Sequence, residues 1–300
     1  MSVIFKGIIP PVPTLFDEKE QFDETAMQRL IDHLVATDVN GLFFLGSAGE
    51  FAHMSDALRQ RVMKFCIEAV GGRKPVLVGI AHPGTQATID FGHLAQEYGA
   101  DGVVVVNPWY NPLAEDYLFE HFRYIAEQLT LPIIIYNFPA LTGQSIPVSC
   151  ITQLALACPN IVGVKDTVDT LNHIREVIHA VKPLRPEFAV FSGYDEYLLG
   201  TLILGGDGAI PASANFAPQL TCGIYRHWLA KQFAEANALQ IRLSWIPALY
   251  SLDVPFYNVV KYALTLIGLD LPVYSLKPTG PLSEERKARV REALQNSGVI

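Results

Sequence analysis

Cysteine is scarce in this 300-residue chain, and its four copies are not arranged to act together. Cys66, Cys150, Cys158 and Cys222 form no CxxC pair and lie mostly in apolar, helix-like surroundings, so they read as reduced core thiols. Histidines and carboxylates lack HxH and HExxH spacing, so no metal site is expected. Positive charge is also short: 22 Lys plus Arg stand against 30 Asp plus Glu, a formal net charge of −8. No helical segment gathers the bases on one face, which excludes nucleic acid as a partner. No apolar run approaches the roughly 18 residues of a membrane span. Met1 to Pro13 carries a lysine and a proline pair where a signal peptide needs an unbroken apolar stretch. A soluble cytoplasmic protein without a membrane partner is the expectation. Glycine is missing from the turn Pro10-Pro11-Val12-Pro13, where a dinucleotide-binding loop would need it.

What the chain does have is apolar residues in quantity, 50% of the total, enough for one large core. They fall into eight short, nearly continuous runs: Gly7 to Pro10, Gly41 to Leu45, Pro75 to Ile80, Gly102 to Val106, Pro132 to Tyr136, Ile161 to Lys165, Phe188 to Ser192 and Gly208 to Ile210. Continuity rather than alternation is what a parallel strand covered on both faces requires. Amphipathic stretches of helical period separate the runs. Ser55 is placed to cap the helix beginning at Asp56, and Gly71-Gly72 to end it. Eight βα units close most economically as a (β/α)8 TIM barrel, an α/β fold, with an open doubly wound sheet as the alternative that the proline-rich first turn disfavours. After Ala230 only helical patterns follow, with Pro247 set to break one of them. The expected division is a catalytic barrel over residues 1–232 and a helical C-terminal region over 233–300.

Chemistry in such a barrel sits at the C-terminal ends of the strands. There the sixth run, Ile161-Val-Gly-Val-Lys165-Asp-Thr167, ends an apolar wall in an amine. A lysine so placed loses hydration of its charged form, and its pKa falls from about 10.4 toward neutrality, which makes it a nucleophile for carbonyl carbon. The alternative is a structural lysine paired with Asp166 or Glu50. Gly46-Ser47-Ala48-Gly49 is a turn able to converge backbone N–H groups on a carboxylate, and Tyr136 ends the fifth run with a phenol. An imine-forming amine, a carboxylate nest and a proton carrier are the tools for cleaving a 2-oxo acid. His82 and Trp109 read as loop and packing residues.

Four motifs in order, Gly46-Ser-Ala-Gly-Glu50, Asn107-Pro-Trp-Tyr110, Tyr136-Asn-Phe-Pro-Ala-Leu-Thr-Gly143 and Gly163-Val-Lys165-Asp-Thr, resemble the dihydrodipicolinate synthase and N-acetylneuraminate lyase family of class I aldolases. The resemblance implies that Lys165 forms the imine, Tyr136 shuttles protons, and the Ser47 and Ala48 N–H groups hold the substrate carboxylate. It implies that Ser47 links Tyr136 to Tyr110, a residue that in the family often reaches across from a neighbouring subunit, and that the assembly is a homotetramer. Asn107, Thr167, Gly193 and Ile210 match substrate-binding or channel positions. Leu141 stands where synthases usually place the arginine that grips a second carboxylate, and leucine cannot do so. Asp195 and Glu196 resemble the acids of sialic acid lyases. Asp166, Gly205-Gly-Asp-Gly-Ala-Ile210 and Asp253-Val-Pro-Phe-Tyr-Asn258 resemble bacterial 2-keto-3-deoxygluconate and 2-keto-3-deoxypentonate aldolases more closely. The expected activity is cleavage of such a sugar acid to pyruvate and a short hydroxyaldehyde, with no metal or organic cofactor. N-acetylneuraminate lyase, 2-keto-3-deoxy acid dehydratase and dihydrodipicolinate synthase remain the alternatives.

Overall fold

The computed structural model describes residues 5–300, so the first four residues of the N-terminal stretch read above lie outside it. Eight strands form one parallel sheet in the order β1-β8-β7-β6-β5-β4-β3-β2: β1 (Gly7–Ile8), β2 (Leu42–Phe44), β3 (Val76–Gly79), β4 (Gly102–Val106), β5 (Ile133–Asn137), β6 (Ile161–Asp166), β7 (Ala189–Ser192) and β8 (Gly208–Ala209). The two ends of that order meet beyond β1. Phe43 N donates to Pro10 O at 3.0 Å and Val12 N to Phe43 O at 2.8 Å, which closes the barrel. The prolines at positions 10, 11 and 13 limit β1 to a short strand, since each removes a ladder donor.

The main helices are α1 (Glu24–Val35), α2 (Asp56–Val70), α3 (Thr85–Tyr98), α4 (Glu115–Gln128), α5 (Pro139–Thr142), α6 (Val148–Ala157), α7 (Leu171–Val181), α8 (Leu198–Ile203) and α9 (Pro218–Leu229), followed by α10 (Phe233–Leu243), α11 (Tyr257–Leu266) and α12 (Glu284–Asn296). Ser55 does cap α2, its side chain accepting from Leu58 N, and Gly71 ends the helix at φ +57°, where a Cβ would be strained. The first helical pattern after Ala230 is broken earlier than Pro247 implied. α10 stops at Leu243, and the proline opens a separate 3-10 turn, Pro247–Ser251. α10 packs on α9, α12 on α11, and α11 on the turn that follows β2.

Side chains divide by strand parity into two cores. Phe43, Leu77, Val104, Val106, Ile134, Tyr136 and Phe191 fill the barrel, while Leu42, Val103, Val105, Ile133, Ile135 and Val190 meet the helices. β6 needs one more device. Its Ile161 and Val164 both face outward although three residues apart, which strict alternation forbids. The register shifts between Ile133 and Ile134: Ile161 pairs with Ile133 but Gly163 with Ile134, leaving Val162 as an extra residue. Past this bulge Lys165 pairs with Tyr136 and Phe191, both inward, and Asp166 with Asn137. Without it Lys165 would fall opposite Asn137 and point out of the barrel. Gly163 permits the bulge, because a Cβ there would lie 2.6 Å from the Ala189 carbonyl oxygen.

Candidate active site

A cleft with about 420 Å³ of space, part of it open to solvent, lies at the C-terminal end of the barrel, lined by Pro11, Tyr136, Phe138, Lys165, Thr167, Gly193, Tyr194, Asp195, Ile210, Ala212, Tyr250 and Phe256. Lys165 is 4% exposed, with Nζ 4.1 Å from the centroid of the Tyr136 ring and 5.3 Å from that of Phe43. Neither carboxylate considered as its partner reaches it. Asp166 is held by Asn137 and His173, and Glu50 by Lys261. Burial therefore lowers the amine from 10.5 to about 7, against a smaller upward pull from the Asp195 charge. At neutral pH a large fraction of the amine is uncharged and nucleophilic.

Burial raises the Tyr136 phenol well above its ordinary value, while the Ser47 and Thr167 side chains facing it pull partly the other way. The ring stacks on Phe138 with centroids 5.7 Å apart. Gly193 is required by Thr167: a Cβ at 193 would sit 1.8 Å from Thr167 Oγ1. Asp195 is fully buried and accepts hydrogen bonds from the backbone N and hydroxyl of Ser213. Burial raises its pKa, and those hydrogen bonds oppose the rise. Glu196, half-buried beside it, is pushed up to about 7 by burial, with the charges of Asp195 and Asp169 adding to the rise.

Of the residues singled out in the sequence, Lys165, Tyr136, Thr167, Gly193, Asp195 and Ile210 line this cavity together. Ser47 and Ala48 stand in the adjoining 3-10 turn Ser47–Gly49, whose first N–H groups have no carbonyl within the turn to bond. Tyr110, at φ +78° and 90% exposed, is not brought to the cavity of its own chain. Leu141 is 59% exposed on α5 and does not line the cavity. Nor does Asn107, whose amide donates to the Pro108 and Gln144 carbonyls and ties the loop after β4 to the segment after α5. Glu196 also lies off the cavity wall. Tyr250 and Phe256, from the C-terminal helical region, were not foreseen. They sit in a stretch whose pattern offers only helix, and nothing in that pattern orients them toward the barrel mouth. Among the described residues no three His, Cys, Asp or Glu side chains converge as a metal-holding group.

Strand parity sends Asp166 to the opposite side of β6 from Lys165, where it meets α7. His173 Nδ1 lies 2.8 Å from Asp166 Oδ2 and Nε2 lies 3.1 Å from the Ile146 carbonyl. A carboxylate and a carbonyl can only accept, so both ring nitrogens donate and the imidazole is an imidazolium. Burial alone would lower its pKa, but the hydrogen bond and charge of Asp166, the Ile146 carbonyl and the more distant Glu176 carry it above 6.5. The folded value exceeds the unfolded one, so the stabilisation is complete below pH 6.5 and is lost as pH rises through the raised value. We expect imidazolium ¹⁵N shifts for His173 above pH 6.5. His173→Gln should cost roughly 1.5–3 kcal/mol at pH 6, the scale of a hydrogen bond to a charged group, and less at alkaline pH. A neutral-imidazole spectrum at pH 6.5 would sink this assignment.

The dihydrodipicolinate synthetase family model matches residues 4–297. The chain is 45% identical over 296 residues to YjhH of Escherichia coli K12, named as a probable 2-dehydro-3-deoxy-D-pentonate aldolase, which covers 99% of this chain and 98% of the relative. It is 44% identical over 294 residues to YagE of the same organism, provisionally named a 2-dehydro-3-deoxy-D-gluconate aldolase, covering 98% of this chain and 97% of that one. The fold superposes on the crystal structure of YagE in complex with pyruvate at a TM-score of 0.97 and 43% identity, covering 99% of this chain and all of that one. A monomeric dihydrodipicolinate synthase variant matches at a TM-score of 0.94 and 28% identity, over 100% and 99% of the two chains.

Proposed function

The chain belongs to the dihydrodipicolinate synthetase family, and from that premise we propose that it is a class I aldolase cleaving a 2-keto-3-deoxy sugar acid. The products are pyruvate and a short hydroxyaldehyde. The observation that carries the reading is Lys165, a buried amine 4.1 Å from the ring of a buried phenol, brought to about 7 by burial, at the wall of an open cavity. The names of YjhH and YagE and the pyruvate in the YagE crystal structure support the same chemistry.

In this reading Lys165 Nζ adds to the C2 carbonyl carbon, and the carbinolamine loses water as Tyr136 supplies the proton. The iminium so formed is a cation close to the phenolate left behind, and it offsets the cost of a buried negative charge. The phenolate then takes the proton from the C4 hydroxyl. The C3–C4 bond breaks, its electron pair moves into the iminium, and the aldehyde departs. Protonation of the enamine at C3 and hydrolysis release pyruvate and free Lys165. Because the iminium is the electron sink, the reading assigns no metal or organic cofactor.

Ser47 and Ala48 are assigned to the substrate carboxylate, Thr167 and Gly193 to the chain beyond it, and Asp195 to the sugar hydroxyls, with Glu196, off the cavity wall, acting only through its charge beside Asp195. Tyr110 is assigned a catalytic part only across a subunit contact, within a cytoplasmic homotetramer. Leu141 stands where the resemblance puts a synthase arginine and offers no donor for a second carboxylate, although its side chain lies off the cavity of this chain. The experiment is pyruvate release from a panel of 2-keto-3-deoxygluconate, the 2-keto-3-deoxypentonates and N-acetylneuraminate. Pyruvate with glyceraldehyde or glycolaldehyde is expected from the deoxy acids. A semialdehyde with its carbon chain intact would overturn the aldolase reading in favour of a dehydratase, and pyruvate from N-acetylneuraminate alone would move the substrate class.

A further inference from the structure

Glu50 closes the turn after β2 in a left-handed conformation, at φ +61°, and its carboxylate is wholly enclosed. Its partner comes from the far end of the chain. Lys261 on α11, also 0% exposed at the side chain, donates to Glu50 Oε1. The ammonium's other donors go to the Tyr274 carbonyl at 2.6 Å and the Ser275 hydroxyl at 3.1 Å. Glu50 Oε2 accepts from Leu276 N at 2.9 Å. Every strong donor and acceptor of the pair is thereby satisfied in one geometry.

Stability does not account for this arrangement, because a buried ion pair of this kind can usually be replaced by hydrocarbon at no loss. Direction is what hydrocarbon cannot supply. Tyr257, one helical turn before Lys261 on the same face of α11, bonds His53 Nδ1 at 3.0 Å, and Thr14 Oγ1 holds the Gly49 carbonyl at 2.8 Å from the other side. The C-terminal end of the turn Gly46 to Glu50 is thus gripped from two sides, and Ser47, two residues before Gly49, faces Tyr136.

We propose that Glu50 and Lys261 form a positioning pair that sets the Ser47–Ala48 turn against Lys165 and Tyr136, so that the C-terminal helices govern how tightly the 2-oxo acid carboxylate is held. This rests on the reading of Ser47 and Ala48 as the carboxylate's donors. The test uses the full chain, with pyruvate as the probe and borohydride reduction of the Lys165 adduct followed by intact mass. Lys261→Met should raise the half-saturating pyruvate concentration about tenfold, the scale of one charge-assisted hydrogen bond, while the yield and rate of trapping at saturation stay near wild type. Leu264→Ala, in hydrocarbon on the same helix, supplies a destabilised control whose half-saturation should stay within about twofold. If Lys261→Met does not fold, Glu50→Gln keeps the shape and drops the charge, and a rise of about threefold is expected. Unchanged half-saturation in the folded variant, or an equal rise in Leu264→Ala, would overturn the pair's role. Absence of any wild-type adduct would overturn the aldolase reading itself, and the pair's role with it.

Discussion

Lys165→Arg is expected to abolish the pyruvate adduct and to lower aldol cleavage by roughly 10⁴-fold or more, the scale on which loss of a covalent nucleophile acts. Arginine keeps a positive charge and much of the length of lysine, yet it cannot supply a neutral nitrogen at any working pH. The substitution therefore separates two roles that lysine could have. If the amine served only as a cation for the substrate carboxylate, arginine would retain much of the activity. If it forms an imine, nothing replaces it. The measurement is intact mass after borohydride treatment with pyruvate, alongside pyruvate release from 2-keto-3-deoxygluconate. A mass increase in the variant equal to that of wild type, or activity within tenfold of it, would sink Lys165 as the Schiff-base residue.

How far this was legible in the sequence depends on which interaction decided each feature. The barrel was legible because parallel strands buried on both faces leave continuous apolar runs, and all eight runs became strands. Lys165 was legible for a related reason: one ionisable residue at the end of such a run stands out. Its direction was not. Plain alternation carried along β6 from Ile161 points Lys165 outward, and only the extra residue at Val162 turns it in. Gly163 was the available signal, a glycine where a β-branched run is otherwise unbroken. The Glu50–Lys261 pair was illegible because 211 residues separate its members. Even so, Lys261 interrupts a helix in which Tyr257, Asn258, Val259, Val260, Ala263 and Leu264 are all buried, and a charge in such a helix needs a partner. Tyr250 and Phe256 depend on how the C-terminal helices dock, which no local pattern encodes.

The same desolvation that makes Lys165 reactive should make it a burden on the fold, and replacing it with methionine should show the cost. In the folded protein the amine sits at about 7 instead of 10.5, so between those values the unfolded chain binds more protons than the native one. Stability consequently rises with pH across that window, and at pH 7 and below the penalty is nearly complete. A depression of this size corresponds to about 4–5 kcal/mol, an upper figure because the site relaxes in practice. Methionine is of similar length, carries no charge, and meets Tyr136, Phe43 and Phe191 as hydrocarbon would. We therefore expect Lys165→Met to have a higher urea midpoint than wild type at pH 7, by a few kcal/mol, and to lose all activity. The gap should narrow toward pH 10, where wild-type lysine is neutral in the native state and the unfolded lysine, though still mostly protonated, gains little from its proton so close to its own pKa of 10.5. A variant less stable than wild type at pH 7, or a gap that does not change with pH, would show that the cavity solvates the lysine's charge. In that case burial would not be what sets the amine's protonation, and Asp195, whose charge favours the ammonium, would be the residue to substitute next to see whether it holds that charge.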